Sequence, residues 1–208
     1  MRKLRKIGLA VAAAFLCLCA ARAGDREKVS FHGGLEWGYC MTAYEWAHYN
    51  YQTLDGQRMN PYTDRFTIGW NAALEAYGEM CLWKHYALRL AGGRRGIAPE
   101  RTGWSVAARA SVFFRDYRSD TPFAFAEYAQ VYLPSLRDQH SRLVKAGGGY
   151  RVALGSWVRF DILASVQYSQ DHPYRFYDKI QGAYVEGDYL RRSDLAYATL
   201  NLSFALNF

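Results

Sequence analysis

From residue 31 onward the chain alternates, an apolar side chain and then a small, polar or charged one, and this period of two limits what it can fold into. Phe31, Gly33, Leu35, Trp37, Tyr39 and Met41 share one parity, while His32, Gly34, Glu36, Gly38, Cys40 and Thr42 share the other. The pattern returns around 66–77, 81–90, 104–115, 123–133, 144–152, 158–168 and 196–208. Successive side chains of a strand point to opposite faces, so each run is a strand with two unlike faces. Apolar residues nowhere recur over a long stretch at the i, i+3, i+4, i+7 spacing of a helix. The expected fold class is therefore all-β, with eight antiparallel strands in up-and-down order.

A soluble β-sandwich also alternates, but three further features separate the two folds. The runs are roughly 10–13 residues long, close to the ~9–11 of a tilted membrane strand and well above the ~5–6 of soluble strands. The apolar faces end in aromatics (Trp37, Tyr39, Trp70, Trp104, Phe114, Tyr150, Tyr168 and Phe208), as the two interfaces of a bilayer favour. Short connections near 78–80, 116–122 and 154–156 alternate with mostly longer ones near 43–64, 92–102, 134–141 and 170–192. A transmembrane barrel is built in this way, with short periplasmic turns and longer outer loops.

Charge points first in another direction. The chain has 208 residues and a formal charge of +7, the balance of a nucleic-acid binder. Five of the 26 basic residues, Arg2, Lys3, Arg5, Lys6 and Arg22, lie in the first 23 positions with no acid among them. Without that segment 21 bases face 19 acids, and nucleic acid is excluded as a partner. The segment has a basic start, an uncharged stretch from Ile7 to Ala20, and Ala21-Arg22-Ala23 before Gly24. This is the three-part layout of a secretory signal peptide, too short to span a bilayer comfortably. Residues 1–23 are read as a cleaved leader and 24–208 as the barrel domain. A lipoprotein site at Cys19 is disfavoured by Leu18, where a small residue is normally needed. Cys40 and Cys81 then remain, and the expected registers place them too far apart for a disulfide.

The C-terminal run closes on Phe208, with Leu206, Phe204, Leu202 and Leu200 alternating behind it. It resembles the last strand of bacterial outer-membrane barrels, whose final aromatic is read by the barrel-assembly machinery. In architecture the chain is similar to the small eight-stranded OmpA/OmpX-like barrels and to the outer-membrane β-barrel proteins of Bacteroidota. That resemblance implies a Gram-negative outer membrane as location, with Phe208, Leu206 and Phe204 as the assembly signal.

With the apolar parity facing lipid, the lumen receives Glu36, Glu75, Arg89, Arg109, Glu127, Lys145, Arg151, Arg159 and Asp161. An eight-stranded barrel is only wide enough for its own side chains, and buried charges persist when paired. Four acids against five bases predict a salt-bridged plug, whereas a selective pore favours a ring of one sign. A narrow porin-like channel is the alternative. Lys84 and Gln130 have lipid-facing parity; Lys84 either snorkels near the periplasmic rim or marks a bulge, and Gln130 raises the same question.

Small barrels resembling this one include enzymes that modify lipid A. Candidates for such chemistry are His48, His140, His172, Asp171, Ser193 and Asp194, scattered over the outer loops without the spacing of a nucleophile, base and orienting group. No enzyme activity, cofactor or metal is expected, since Asp171-His172 has no third ligand at a characteristic spacing. The first loop carries Tyr44, Trp46, Tyr49, Tyr51 and Tyr62, and the last Tyr174, Phe176, Tyr177, Tyr184 and Tyr189. These are either strands prolonged past the membrane with aromatics pairing across them, or a surface for an extracellular protein or glycan. The expected function is that of an integral outer-membrane barrel with a structural or surface-binding role.

Overall fold

A computed structural model describes residues 29–208 except 54, 100, 134–138, 156 and 179–181; the expected leader, with its cleavage before Gly24, lies outside them. Eight strands run antiparallel to their neighbours in chain order: β1 (Val29–Gln52), β3 (Tyr62–Leu82), β4 (Tyr86–Ala98), β5 (Arg101–Phe113), β6 (Thr121–Leu133), β7 (Gln139–Ala153), β8 (Arg159–Asp171) and β11 (Leu190–Asn207). The pairing of β11 with β1 closes the ring, so the chain is an up-and-down β-barrel. A two-residue β2 (Arg58–Met59) pairs with β1, and β9 (Arg175–Asp178) forms a hairpin with β10 (Ala183–Glu186).

The register fixes the barrel's shape. Following paired residues from Leu82 through Tyr86, Val112, Ala124, Gly148, Ala164, Leu202 and Tyr39 returns to β3 at Ala72, ten residues from the start. A stagger of ten over eight strands, at ~3.3 Å per residue and ~4.8 Å per strand, tilts the strands by about 40°. Ten is even, so the two faces stay distinct around the whole ring.

The outward parity is apolar. Leu35, Trp37, Leu74, Leu90, Val106, Val112, Ile162, Val166, Leu200 and Leu202 are exposed, an arrangement that water would not stabilise but hydrocarbon does. Phe31, Phe114, Tyr150, Trp157 and Phe208 lie at the end with the short turns, and Trp70, Trp104 and Tyr168 at the other. Trp37, Phe160 and Phe204 cluster on this surface, with the last two rings stacked 6.0 Å apart.

Several strand ends differ from expectation. The turn after β3 is 83–85, so Cys81 ends β3 and does not begin the next strand. Trp83 and Lys84 occupy it with φ of 47° and 64°, a left-handed pair that reverses the chain in three residues. Lys84 is therefore neither a lipid-facing strand residue nor a bulge; its ammonium lies 3.8 Å from Asp116. Gln130 marks no bulge either, because β6 pairs without a register shift on both sides. It faces outward near the loop end and donates to the Tyr128 hydroxyl at 3.3 Å.

The expected loop at 92–102 is mostly strand: β4 continues to Ala98, leaving only 99–100 as the connection. Two of the glycines there reflect crowding, since a Cβ on Gly93 would come within 2.2 Å of the Leu74 carbonyl oxygen and one on Gly96 within 2.1 Å of the Asn71 side chain. The 43–64 segment is also largely paired, because β1, β3 and β11 run well past the 13 residues of β4, β5, β6 and β8. In β1 a register shift between Thr42 and Tyr44 reverses the parity, turning Ala47 and Tyr51 inward and Tyr44, Trp46 and His48 outward.

Candidate functional site

The inward parity brings ten charged side chains into one connected set. Arg109 of β5 places Nη1 2.8 Å from Glu36 and donates from Nε to Glu127 at 2.6 Å. Glu127 accepts from Arg95 at 2.6 Å through its other oxygen, and Arg95 forks onto Glu75. On the turn side, Arg89 donates to Glu36 at 2.9 Å and to Glu79 at 2.7 Å, and lies 3.4 Å from Asp161. Arg151 then links Glu79, at 2.9 Å, to Asp161, at 2.7 Å. Lys145 stands 3.5 Å from Glu36. Five carboxylates and five cations are therefore joined with no net formal charge, and all ten are buried.

Neutral groups complete the set. Asn207 donates to Asp161 at 3.1 Å and accepts from the Tyr77 hydroxyl at 2.7 Å, while Ser105 donates to Glu75. Arg89 lies 3.7 Å from the centroid of the Tyr77 ring, and Arg109 and Arg151 each 4.6 Å from Phe125 and Phe113. The guanidiniums thus donate at their edges and use their flat faces against rings, an arrangement a lysine ammonium does not offer.

Eight of the nine residues expected in the lumen belong to this set. Arg159 does not: it is buried at the turn end beside the Tyr117 ring, at 5.6 Å, and makes no ion pair among the described residues. Glu75 and Arg109 connect through Arg95 and Glu127. Glu79 and Arg95 do not stand out in the sequence, because Gly78-Glu79 has the composition of a turn and Gly92–Gly96 that of a loop. The signal for both was parity, which runs unbroken from Glu75 through Tyr77 to Glu79 and from Arg89 through Ala91 and Gly93 to Arg95.

Apolar clusters lie at both ends of the charged layer. Cys81, Ala87, Phe113, Phe123 and Tyr117 pack at the turn end. Tyr117 comes from the 114–120 turn, folds under the barrel and meets the Ser30 hydroxyl at 2.5 Å. Ala47, Ile97, Ala98, Val131, Leu133, Leu195 and Tyr197 fill the loop end, with Tyr49 against them. Burial there raises the pKa of the Tyr49 phenol above its ordinary value. Cys40 and Cys81 are both buried and free; Cys81 pairs with Ser30, ten residues along β1 from Cys40, a separation of about 33 Å in a strand.

Of the outer-loop candidates, His172 is brought together with Asp171, Ser193 and Asp194, while His48 and His140 have other partners. His48 bonds Asn60 at 3.0 Å, and His140 packs its ring 5.3 Å from Tyr132. Asp171 is buried against Arg101. His172 lies 3.0 Å from Asp194 through Nδ1, which also sits 3.0 Å from the main-chain oxygen of Ser193. Among the described residues no three His, Cys, Asp or Glu side chains converge as a metal site.

No family model and no curated protein matches the sequence. Among solved structures the chain is similar to Neisserial surface protein A (NspA), with 14% identity and a TM-score of 0.36 over 84% of this chain and 97% of that one. It is also similar to the outer membrane protease OmpT from Escherichia coli, with 8% identity and a TM-score of 0.34 over 86% and 96%. The likeness is one of barrel fold.

Proposed function

We propose that this chain is an integral outer-membrane barrel whose lumen is closed by its own side chains and which acts through the surface at its long-loop end. The observation that carries this reading is the neutral, buried set of ten charges with apolar clusters above and below it. An ion crossing the barrel would have to break several of these pairs at once, each in a poorly hydrated setting. The outward apolar band with aromatics at both edges supports a bilayer location. The short turns then face the periplasm and the long β1–β3 hairpin the exterior. Residues 1–23 serve as the export leader, and Phe208, Leu206 and Phe204 present the assembly signal on the outward face of β11.

A lipid-modifying enzyme is the weaker alternative. His172 and Asp194 form a dyad at the loop end, with His172 exposed and its Nδ1 3.0 Å from both the Asp194 carboxylate and the Ser193 main-chain oxygen. The decisive experiment is planar-bilayer recording on the refolded chain. The closed-lumen reading expects no sustained current, and a stable large conductance would replace it with the channel.

A further inference from the structure

Above the outer ring of aromatics, β1 and β3 continue as a ribbon with two very different faces. The inward face is covered, with Ala47, Tyr51 and Leu195 buried. The outward face carries Tyr44, Trp46 and His48 from β1 and Tyr62, Phe66 and Ile68 from β3; Tyr44 pairs with Phe66 and His48 with Tyr62, and Ile68 lies at the register shift. Tyr44 meets Phe66 edge-on at 5.3 Å, Trp46 meets Tyr62 at 5.7 Å, and the Trp46 ring nitrogen donates to the Tyr62 hydroxyl. On the other flank β11 sets the small Ala196 and Ala198 beside Trp46 and Tyr44, which are half-buried, so the exposed side of the strip is carried by β3. Phe66 is 86% exposed and Ile68 80% exposed.

Height decides what this strip touches. Phe66 lies four residues beyond Trp70 on β3 and Tyr62 eight, which at ~3.3 Å per residue and a tilt near 40° is about 10 and 20 Å farther along the barrel axis. The headgroup zone of a phospholipid leaflet is only about 5–8 Å deep. The strip continues the lipid-facing surface without a break through Ile68 and Trp70, yet most of it stands above any phospholipid headgroup. Polar groups flank the rings: Asp64 lies beside Trp46, and His48, bonded to Asn60 at 3.0 Å, lies beside Asp194 and Tyr62. Flat rings present a negative face to weakly positive C–H groups, and neighbouring amide, carboxylate and imidazole groups can bond hydroxyls. A sugar ring has both kinds of surface.

The geometry points to the outward strip of Tyr44, Trp46, Tyr62 and Phe66 as a binding site for the oligosaccharide headgroup of an outer-leaflet glycolipid. This deepens the proposed function and rests on its outer-membrane orientation. The occupant is held laterally, at the barrel wall, with its acyl chains against the apolar belt and its sugars against the strip.

The test uses the full chain, folded in a zwitterionic detergent without a sugar headgroup and immobilised. Retention is measured for two fluorescent lipopolysaccharides, one with a complete core oligosaccharide and one truncated to lipid A. The core-bearing form should be retained about ten-fold more tightly, the effect of one or two stacked rings. Phe66→Ala and Trp46→Ala should each reduce that preference while leaving lipid A retention and the heat-modifiable gel shift unchanged. Equal retention of the two glycolipids by the wild type overturns the assignment. So does strip-dependent crosslinking into dimers without glycolipid, which would give the strip to a second copy. A chain that is heat-modifiable and non-conducting but indifferent to core sugars refutes this inference alone, whereas a chain that never folds in detergent or lipid removes both readings.

Discussion

Arg89 and Glu36 meet at 2.9 Å although β3 separates their strands, β4 and β1. The contact crosses the curve of the wall, and it joins the cluster around Glu79, Asp161 and Arg151 to the one around Glu127 and Arg95. The lumen charges thereby act as a unit, so removing one member affects partners on several strands.

Arg109→Leu should be strongly destabilising. Glu36 keeps Arg89 and Lys145 and Glu127 keeps Arg95, but the set loses one of its five cations and carries an uncompensated buried negative charge, a cost of up to about 3–5 kcal/mol in a dry site and less wherever water enters. Urea unfolding followed by heat-modifiability on a gel should show a lowered midpoint. His172→Ala, at an exposed loop position, should unfold at the wild-type midpoint, and an Arg109→Leu protein that did the same would indicate a hydrated, open lumen.

Gly93→Ala should impair folding while Gly78→Ala should not. A Cβ at Gly93 comes within 2.2 Å of a main-chain oxygen and 2.6 Å of the Glu75 Cα, whereas one at Gly78 meets nothing within 4 Å. The yield of heat-modifiable barrel after refolding compares the two directly. Equal yields would mean that β3 and β4 sit farther apart than this register requires.

Deletion of Phe208 should reduce the assembled fraction in cells more than removal of the 175–186 hairpin. Phe208 exchanges two main-chain hydrogen bonds with Gly33, at 2.9 and 3.0 Å, at the seam that closes the ring. A free sheet edge in lipid has no water to satisfy it. Similar amounts of folded protein from both variants would argue against a terminal assembly signal.

Cys40 and Cys81 should resist a maleimide in the folded barrel and both react after denaturation in urea. Both thiols are buried and lie at different heights in the wall. A mass corresponding to an oxidised pair in folded protein would require a register shift of many residues.

The sequence alone determined the number of strands, their two faces and the closed antiparallel ring, because a period of two leaves a strand no other way to sort its side chains between hydrocarbon and interior. It also placed Glu36, Glu75, Arg89, Arg109, Glu127, Lys145, Arg151 and Asp161 in the lumen, since parity is a local property that survives small errors in strand ends. It did not reveal that Gly92–Gly96 is strand, because glycine and arginine together have the composition of a loop when the Leu74 carbonyl crowding Gly93 is not in view. Only the tertiary structure decided which charges meet. Partners across the lumen depend on the ten-residue stagger, which sets how far each strand is raised relative to the next, and no single strand encodes that sum. The same stagger, with the added length of β1 and β3, carries Trp46 and Phe66 beyond the outer ring of aromatics and turns a run of loop-like tyrosines and tryptophan into one aromatic face.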